Sequence, residues 1–490
     1  MKKIIICLLT AVLIFSTLTV FTGCDTDENT NTDELDTGDI VQVGEIAFPD
    51  IDRKDYGQDF NIYIAPANGE VSRWYMDADI NTGSAMDEAV FARQERVRRY
   101  LGVEFVNVLY PDATYTTYHT YVQSAVQNMD GTLDALVTHV HGGVPNLISE
   151  NLLMDLLDLT ELDLDAEYWH ADFMNALELN GHYYLGHSDY NFLMTYVLGY
   201  NKELLDEYGA ALERSVYDTV RDYQWTLAEM MNLAKLVAID STGDGKSEDD
   251  YFGLTGNSWV GFNGFLTASN IPIAAQTQSG SYEVSLSWTE YYSKTYDIIG
   301  FFKELADGNY TYITQDYRLI HVKTPLSTGR SLMQVISVRD LEGLLNYNLD
   351  FGILPFPMYD SEQANIGYKS LQFGGYLGVL SYQDNVALVA ETIEMLSYYS
   401  ENVKITYYEK VLGKRIADMP DDAAMFEIVW DGITPDFGQT FASLGYDELG
   451  VCYAIPQMIH PETTQNLSSY LAARGSSLNT GFKKFLDGIE

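Results

Sequence analysis

His139 and His141 flank Val140, and side chains two positions apart in an extended strand project from the same side, a spacing from which a metal ion can take two imidazole ligands. His182 and His187 lie in another segment, and closure of the chain could bring them near enough to complete a zinc or manganese capture site. No Cys and no clearly placed third His supports that reading, so packing or a polar contact is the expected use of the pair. A second cluster is acidic. Asp240, Thr242, Asp244, Gly245 and Glu248 fall at positions one, three, five, six and nine of a calcium loop. Position twelve is Tyr251, where the loop needs a bidentate carboxylate, although Asp249 or Asp250 could substitute in another geometry. No cofactor is therefore expected and the segment reads as a solvated acidic turn, with calcium as the alternative.

Covalent chemistry finds less support. With 71 acidic residues some carboxylate pair always resembles a glycosidase dyad, and spacing in sequence cannot select one. There is no H-E-x-x-H, no phosphate-binding G-x-x-x-x-G-K-S/T, no G-x-S-x-G elbow and no C-x-x-C. His141-Gly142-Gly143 resembles part of an esterase oxyanion loop, but without a nucleophile elbow it is a tight turn. The chain is therefore expected not to be an enzyme, with a secreted carbohydrate-active hydrolase as the alternative.

Thiol chemistry is confined to the N-terminus. Met1-Lys2-Lys3 precedes an apolar run from Ile4 to Val20 that ends at Phe21-Thr22-Gly23-Cys24, a signal peptide over residues 1–23. Cys24 can carry a diacylglyceryl thioether, and cutting behind Gly23 leaves a lipidated N-terminal cysteine. The motif resembles a bacterial lipobox, with Phe21 where an aliphatic residue is usual. Each buried methylene contributes roughly 0.8 kcal/mol, so two or three palmitate-like acyl chains would hold the protein at the extracytoplasmic face of the cell membrane. Residues 24–55 read as a disordered acidic tether, spanning on the order of 25 to 30 Å. A formal net charge of −43 makes nucleic acid an unfit partner. Once Cys7 leaves and Cys24 is acylated, only Cys452 remains, so no intrachain disulfide forms.

The remaining chain has to build the frame. DFNIYIA alternates Phe60, Ile62 and Ile64 as a half-buried strand does. Met86, Val90, Val97 and Leu101 recur at helical spacing behind a capping Ser84, with Gly102 placed for a left-handed end. A strand over Val103 to Val108, a helix near Tyr118 to Met129 and a short strand from Leu133 to Val137 complete a β-α-β-α-β order, which argues for a parallel sheet with helices on both faces. A second α/β unit opens where Thr226 and Glu229 form a capping box ahead of Leu227, Met230, Ala234 and Val237. Trp225 is expected to be a packing residue, and Tyr200 to belong to a strand entering the second lobe.

Several segments, taken in order, carry a resemblance: GSAMDEAVFARQERVRRYLGVEF, LNGHYYLGHSDYNFLMTYVLGYNKELLDEYG, YQWTLAEM, DSTGDGKSEDDYFGLTG, TGRSLMQV, DFGILPFPMYDSEQ and ETIEMLSYYSENVKITYYEKVLGKR. Together they resemble bacterial extracellular solute-binding lipoproteins of ABC importers, the carbohydrate-type family 1. The resemblance implies a two-lobed, type II periplasmic-binding-protein-like α/β fold, each lobe a mainly parallel sheet flanked by helices, with chain crossings at a hinge. It divides the chain into a first lobe (56–190), a second lobe (191–365), a return to the first lobe (366–412) and a C-terminal helical segment (413–490) packing on the second lobe and hinge. It also implies a sugar or oligosaccharide ligand, a permease and an ATPase as partners, and a monomer.

Sugars lay their C–H faces on aromatic rings while their hydroxyls pair with polar side chains, and in doubly wound sheets ligands sit beyond the carboxyl ends of strands. The candidates at such positions are Trp74 and Tyr75, then Thr138, His139 and His141, Asp189 and Tyr190 in the crossover, Trp259 and Gln334 in the second lobe, and Tyr376 on the return. For each of these alone, packing is the competing role. A glycan-gripping surface adhesin is a third reading: it would bind polymers without closing, whereas a hydrolase would release products.

Overall fold

The computed structural model describes residues 46–65, 84–114, 117–129, 131–138, 143–210, 212–243, 245, 247, 249–257, 260–314, 324–372, 375–412, 420–444, 453–460 and 463–489. The proposed signal peptide and Cys24 lie outside them, as does Cys452. No helix among the described residues is long and apolar enough to cross a membrane.

The first sheet is built from β1 (Gln58–Ile64), α1 (Ala85–Leu101), β2 (Val103–Val108), α2 (Tyr118–Asn128), β3 (Ala135–Val137) and α3 (Val144–Ser149). The local signals act as read: Ser84 accepts a hydrogen bond from the Asp87 N–H at 3.3 Å, and Gly102 ends α1 at φ 62°. A Cβ on Gly102 would also fall 2.6 Å from Asp55 Cα, so both conformation and space require glycine there.

The chain then enters a second sheet through β4 (Tyr196–Asn201), passes α4 (Leu227–Ala234), β5 (Ala238–Ile239), β6 (Tyr251–Asn257), α5 (Thr289–Asp307), β7 (Thr311–Thr314), β8 (Ser331–Ser337) and β9 (Phe351–Leu354), and returns to the first sheet as β10 (Leu377–Val379). The long α6 (Val386–Thr406) follows, then α7 (Pro420–Asp431), α8 (Phe437–Thr440) and α9 (Leu467–Leu486). Trp225 is buried and donates its indole N–H to the Pro355 carbonyl at 2.9 Å, and Thr226 caps α4 by accepting from the Glu229 N–H, so both act as the sequence suggests.

The first sheet has the order β10-β3-β1-β2, with β1 parallel to β2 and β3, and β10 antiparallel at the edge. The second differs from expectation. Its order is β9-β4-β8-β6-β5, with β7 also on β6, and only the β8/β6 and β6/β7 ladders are parallel. The β8/β4, β9/β4 and β5/β6 ladders are antiparallel, so the sheet is mixed rather than mainly parallel. Two of these three involve β4, which arrives straight from the first sheet and runs opposite to both of its neighbours.

The tether also ends earlier than residue 55. Phe48 packs edge-on against Tyr100 and Tyr398, with centroids 5.4 and 5.3 Å away, and Ile51 is buried. The Tyr100 hydroxyl donates to the Ile51 carbonyl at 2.8 Å, and the Lys54 amide to the Tyr100 carbonyl at 3.0 Å. Two large apolar residues close to the end of a polar stretch are enough to dock it, because their burial offsets the ordering entropy.

Candidate ligand cleft and hinge

Two stretches cross between the sheets side by side, residues 186–195 outward and residues 370–372 and 375–377 back. They are stitched by antiparallel bridges between Gly186 and Leu377 and between Thr195 and Gln372. The Gln372 amide donates to the Asn191 carbonyl at 3.0 Å, while the Asn191 amide donates to the Gly375 carbonyl at 2.9 Å. His187, buried and stacked on Phe173 at 3.9 Å, pairs through Nε2 with the Gln372 side-chain oxygen. Burial, and then the neighbouring His170, hold the His187 imidazole well below its usual range, so it is neutral.

α6 lies across the first crossing. Asp189, 5 % exposed, takes Lys404 Nζ at 2.7 Å on one oxygen and His170 Nε2 at 3.0 Å on the other. The same ammonium reaches Glu401 Oε2 at 2.6 Å. Burial alone would raise Asp189, but hydrogen bonds from His170 and Glu401 and the charge of Lys404 hold it well below the carboxylate range. Burial first, and Asp189 second, push Glu401 up to about 7. Burial would likewise lower Lys404, yet the two carboxylates keep it above the usual lysine value.

At the carboxyl end of β3 the two lobes meet through Tyr376. Its backbone N–H donates to Thr138 Oγ1 at 3.0 Å, and its carbonyl accepts from the Thr138 N–H at 2.8 Å. Its phenol oxygen lies 3.0 Å from Thr440 Oγ1 at the end of α8. Gln439, one residue earlier, accepts at 3.3 Å from the Asn263 amide, which belongs to the turn after β6. α8 thus has a polar hold on each lobe. Its N-cap Asp436 accepts from the Gln439 N–H at 2.8 Å and the Ile273 N–H at 2.7 Å; burial raises its carboxyl to about 6 in spite of these donors.

The sequence candidates divide as follows. Trp74, Tyr75, His139, His141 and Trp259 lie outside the described residues, in segments that follow β1, β3 and β6 directly. Thr138 and Tyr376 are brought together as described, and Asp189 sits in the charged cluster of the crossing. Tyr190 is buried and donates its hydroxyl to the Gly186 carbonyl at 3.1 Å. Gln334 is buried inside the second sheet, its side-chain oxygen accepting from the Leu326 N–H at 3.1 Å and from Thr255 Oγ1 at 3.3 Å. In the acidic loop, Asp244 and Glu248 lie outside the described residues. Asp240 accepts from the Gly243 and Gly245 N–H groups at 2.5 and 3.2 Å, which turns its carboxylate toward the loop's own backbone. His182 pairs with Asp155 at 2.7 Å. No group of three or more His, Cys, Asp or Glu side chains among the described residues is placed to hold a metal ion.

Sequence reading passed over Thr440, Gln439, His170, Glu401 and Lys404. The one signal available was Asp436 standing three residues before Gln439, a cap signature that marks α8 but not its partners.

Two α/β sheets joined by paired crossings, with a helix spanning their junction, define a two-lobed α/β fold, and solved structures of ABC substrate-binding proteins share that fold over 88 % of this chain. The GacH receptor of Streptomyces glaucescens, solved unliganded and with acarbose, is similar over 88 % of this chain and 99 % of its own, with a TM-score of 0.54 and 17 % identity. An ABC transporter solute-binding protein from Thermotoga lettingae bound with α-D-tagatose matches over 88 % and 100 %, at TM-score 0.52 and 14 % identity. UgpB from Mycobacterium tuberculosis, in complex with glycerophosphocholine, matches over 88 % and 96 %, at TM-score 0.51 and 14 % identity. The sequence matches no protein-family model, and no curated protein matches it either.

Proposed function

We propose that this protein is a non-enzymatic, membrane-anchored extracytoplasmic capture protein that holds a sugar or oligosaccharide between its two lobes and hands it to an ABC permease driven by its ATPase. The observation that carries this reading is the α8 junction: one short helix reaches Tyr376 of the first lobe through Thr440 and Asn263 of the second through Gln439. A ligand seated beside it touches both lobes and can draw them together. The structural neighbours solved with acarbose and with tagatose favour a carbohydrate. The segments after β1 and β6 contribute Trp74, Tyr75 and Trp259 as stacking faces for it.

Thermal-shift measurements on the mature domain, with mono- and oligosaccharides, glycerophosphocholine, calcium and zinc as separate arms, test the ligand class. A true ligand at a hundredfold excess over its Kd adds about 2.7 kcal/mol, enough to raise Tm by several degrees. A rise with sugars and recovery of unchanged sugar are expected; a rise with glycerophosphocholine alone, or release of cleaved products, overturns the sugar-capture reading. A rise with calcium would instead assign the 240–250 loop a cation.

The anchor is proposed on the sequence of residues 1–24. A capture protein that diffused away would lose its solute, and acyl chains on Cys24 keep it beside the permease. Intact-mass measurement of the protein from membranes of its host should find a chain beginning at acylated Cys24, and an unmodified Cys24 refutes it.

A further inference from the structure

Asp189 stands seven residues ahead of β4, on the last stretch of the first crossing before the chain enters the second sheet. The groups that grip it belong elsewhere: His170 to the first lobe, Lys404 and Glu401 to α6, which packs along α1 and across the 189–194 turn. This is the place where the crossing is pinned to the body of the first lobe. One ammonium serves two carboxylates there, at 2.7 and 2.6 Å, so with both ionised a negative charge is left over in a largely buried position. A proton removes that surplus and converts Glu401 into a hydrogen-bond donor toward Asp189.

We propose that proton uptake by the Asp189 and Glu401 pair locks the first crossing onto α6, so that pH controls the hinge on which the proposed lobe closure turns. The control rests on reading the crossings as the hinge of a capture protein. Glu401 is raised from the ordinary 4.5 to about 7, by burial first and then by Asp189. A raised carboxyl contributes stability that is fully present below its unfolded value and lost as pH rises through the folded one. The clamp is therefore tighter at pH 6 than at pH 8. Asp189 is shifted the other way, and its contribution is lost only in acid, well outside that window. The remaining charged and titratable neighbours are few. Lys404 on the same helix stays an ammonium, and Arg93 of α1, whose guanidinium donates to Ser400 Oγ at 3.0 Å, stays charged at pH 8. His187 on the crossing is kept neutral by burial. His170 also touches Asp189, at 3.0 Å, so the test has to separate it from Glu401.

Hydrogen exchange of the ligand-free full-length domain at pH 6 and pH 8, corrected for the intrinsic pH dependence of exchange, reads the clamp without any ligand. Protection of the 189–195 amides should fall about tenfold between the two values, the effect of one pKa unit retained by the clamped state, while β8 stays unchanged. Glu401→Gln keeps a donor facing Asp189 and should abolish the fall; Asp189→Asn should abolish it too. A flat wild type, the same fall in both variants, or a fall removed by His170→Gln and kept by Glu401→Gln overturns the proposal. Because no sugar is present, failure here leaves the ligand reading standing, and failure of the sugar screen leaves the clamp standing.

Discussion

Replacing Lys404 by Met is expected to cost about 3 to 5 kcal/mol of folding stability at neutral pH, the usual consequence of removing one partner from a buried ion pair. The methionine fills the volume of the lysine stem, so packing against the crossing survives and the loss isolates the charge. Asp189 would keep His170 and Glu401, and Glu401 would lose the one cation it pairs with among the described residues, leaving two carboxylates in a largely buried space. Both are then pushed upward by burial and by each other. Raised carboxyls confer stability that vanishes as pH rises, so the deficit of the variant should be larger at pH 8 than at pH 5. Urea unfolding at both pH values measures it. Lys404→Met with Asp189→Asn should recover part of the loss at pH 8, because the pair is removed together. A deficit below 1 kcal/mol, independent of pH, would mean that the lysine is solvated and the clamp electrostatically idle.

Such a cluster could not be read from sequence, whereas α1 could. Ser84, Asp87 and Gly102 act within one or two turns of the residues they cap, so the pattern that predicts them is also what forms them. Thr226 and Glu229 are equally local. Lys404 and Asp189, by contrast, are 215 positions apart, and nothing in KITYYEK distinguishes a lysine that will be buried from one that will not. Strand direction was hidden for a different reason. SLMQVIS is buried at every position, so a two-sided apolar run of this kind fits a parallel or an antiparallel ladder equally well. Tyr376 was legible as a candidate because it stands in QFGGYLG on the segment read as returning to the first lobe; Thr440 was not, since it lies 64 positions on, in a four-residue helix with no periodicity to find.

That pairing sets the second large effect. Tyr376 is 3 % exposed and packs near Phe173, with ring centroids 5.8 Å apart, so Tyr376→Ala should lower stability by about 3 to 5 kcal/mol through the cavity it leaves. The size of that loss makes the alanine a poor probe of binding. Tyr376→Phe keeps the ring and deletes only the hydroxyl 3.0 Å from Thr440, with an expected cost of about 0.5 to 1.5 kcal/mol. If α8 ties the lobes together in the liganded form, part of that energy is lost from binding, and the affinity for the sugar with the largest thermal shift should fall roughly fivefold. Thr440→Val removes the same bond from the other side. The two single variants should weaken binding alike, and the double variant should be no weaker than either, since the second change removes nothing further. Titration calorimetry on the four proteins closes the cycle. Effects that add independently, or a Tyr376→Phe variant with full affinity, would confine the contact to folding and move the ligand away from α8.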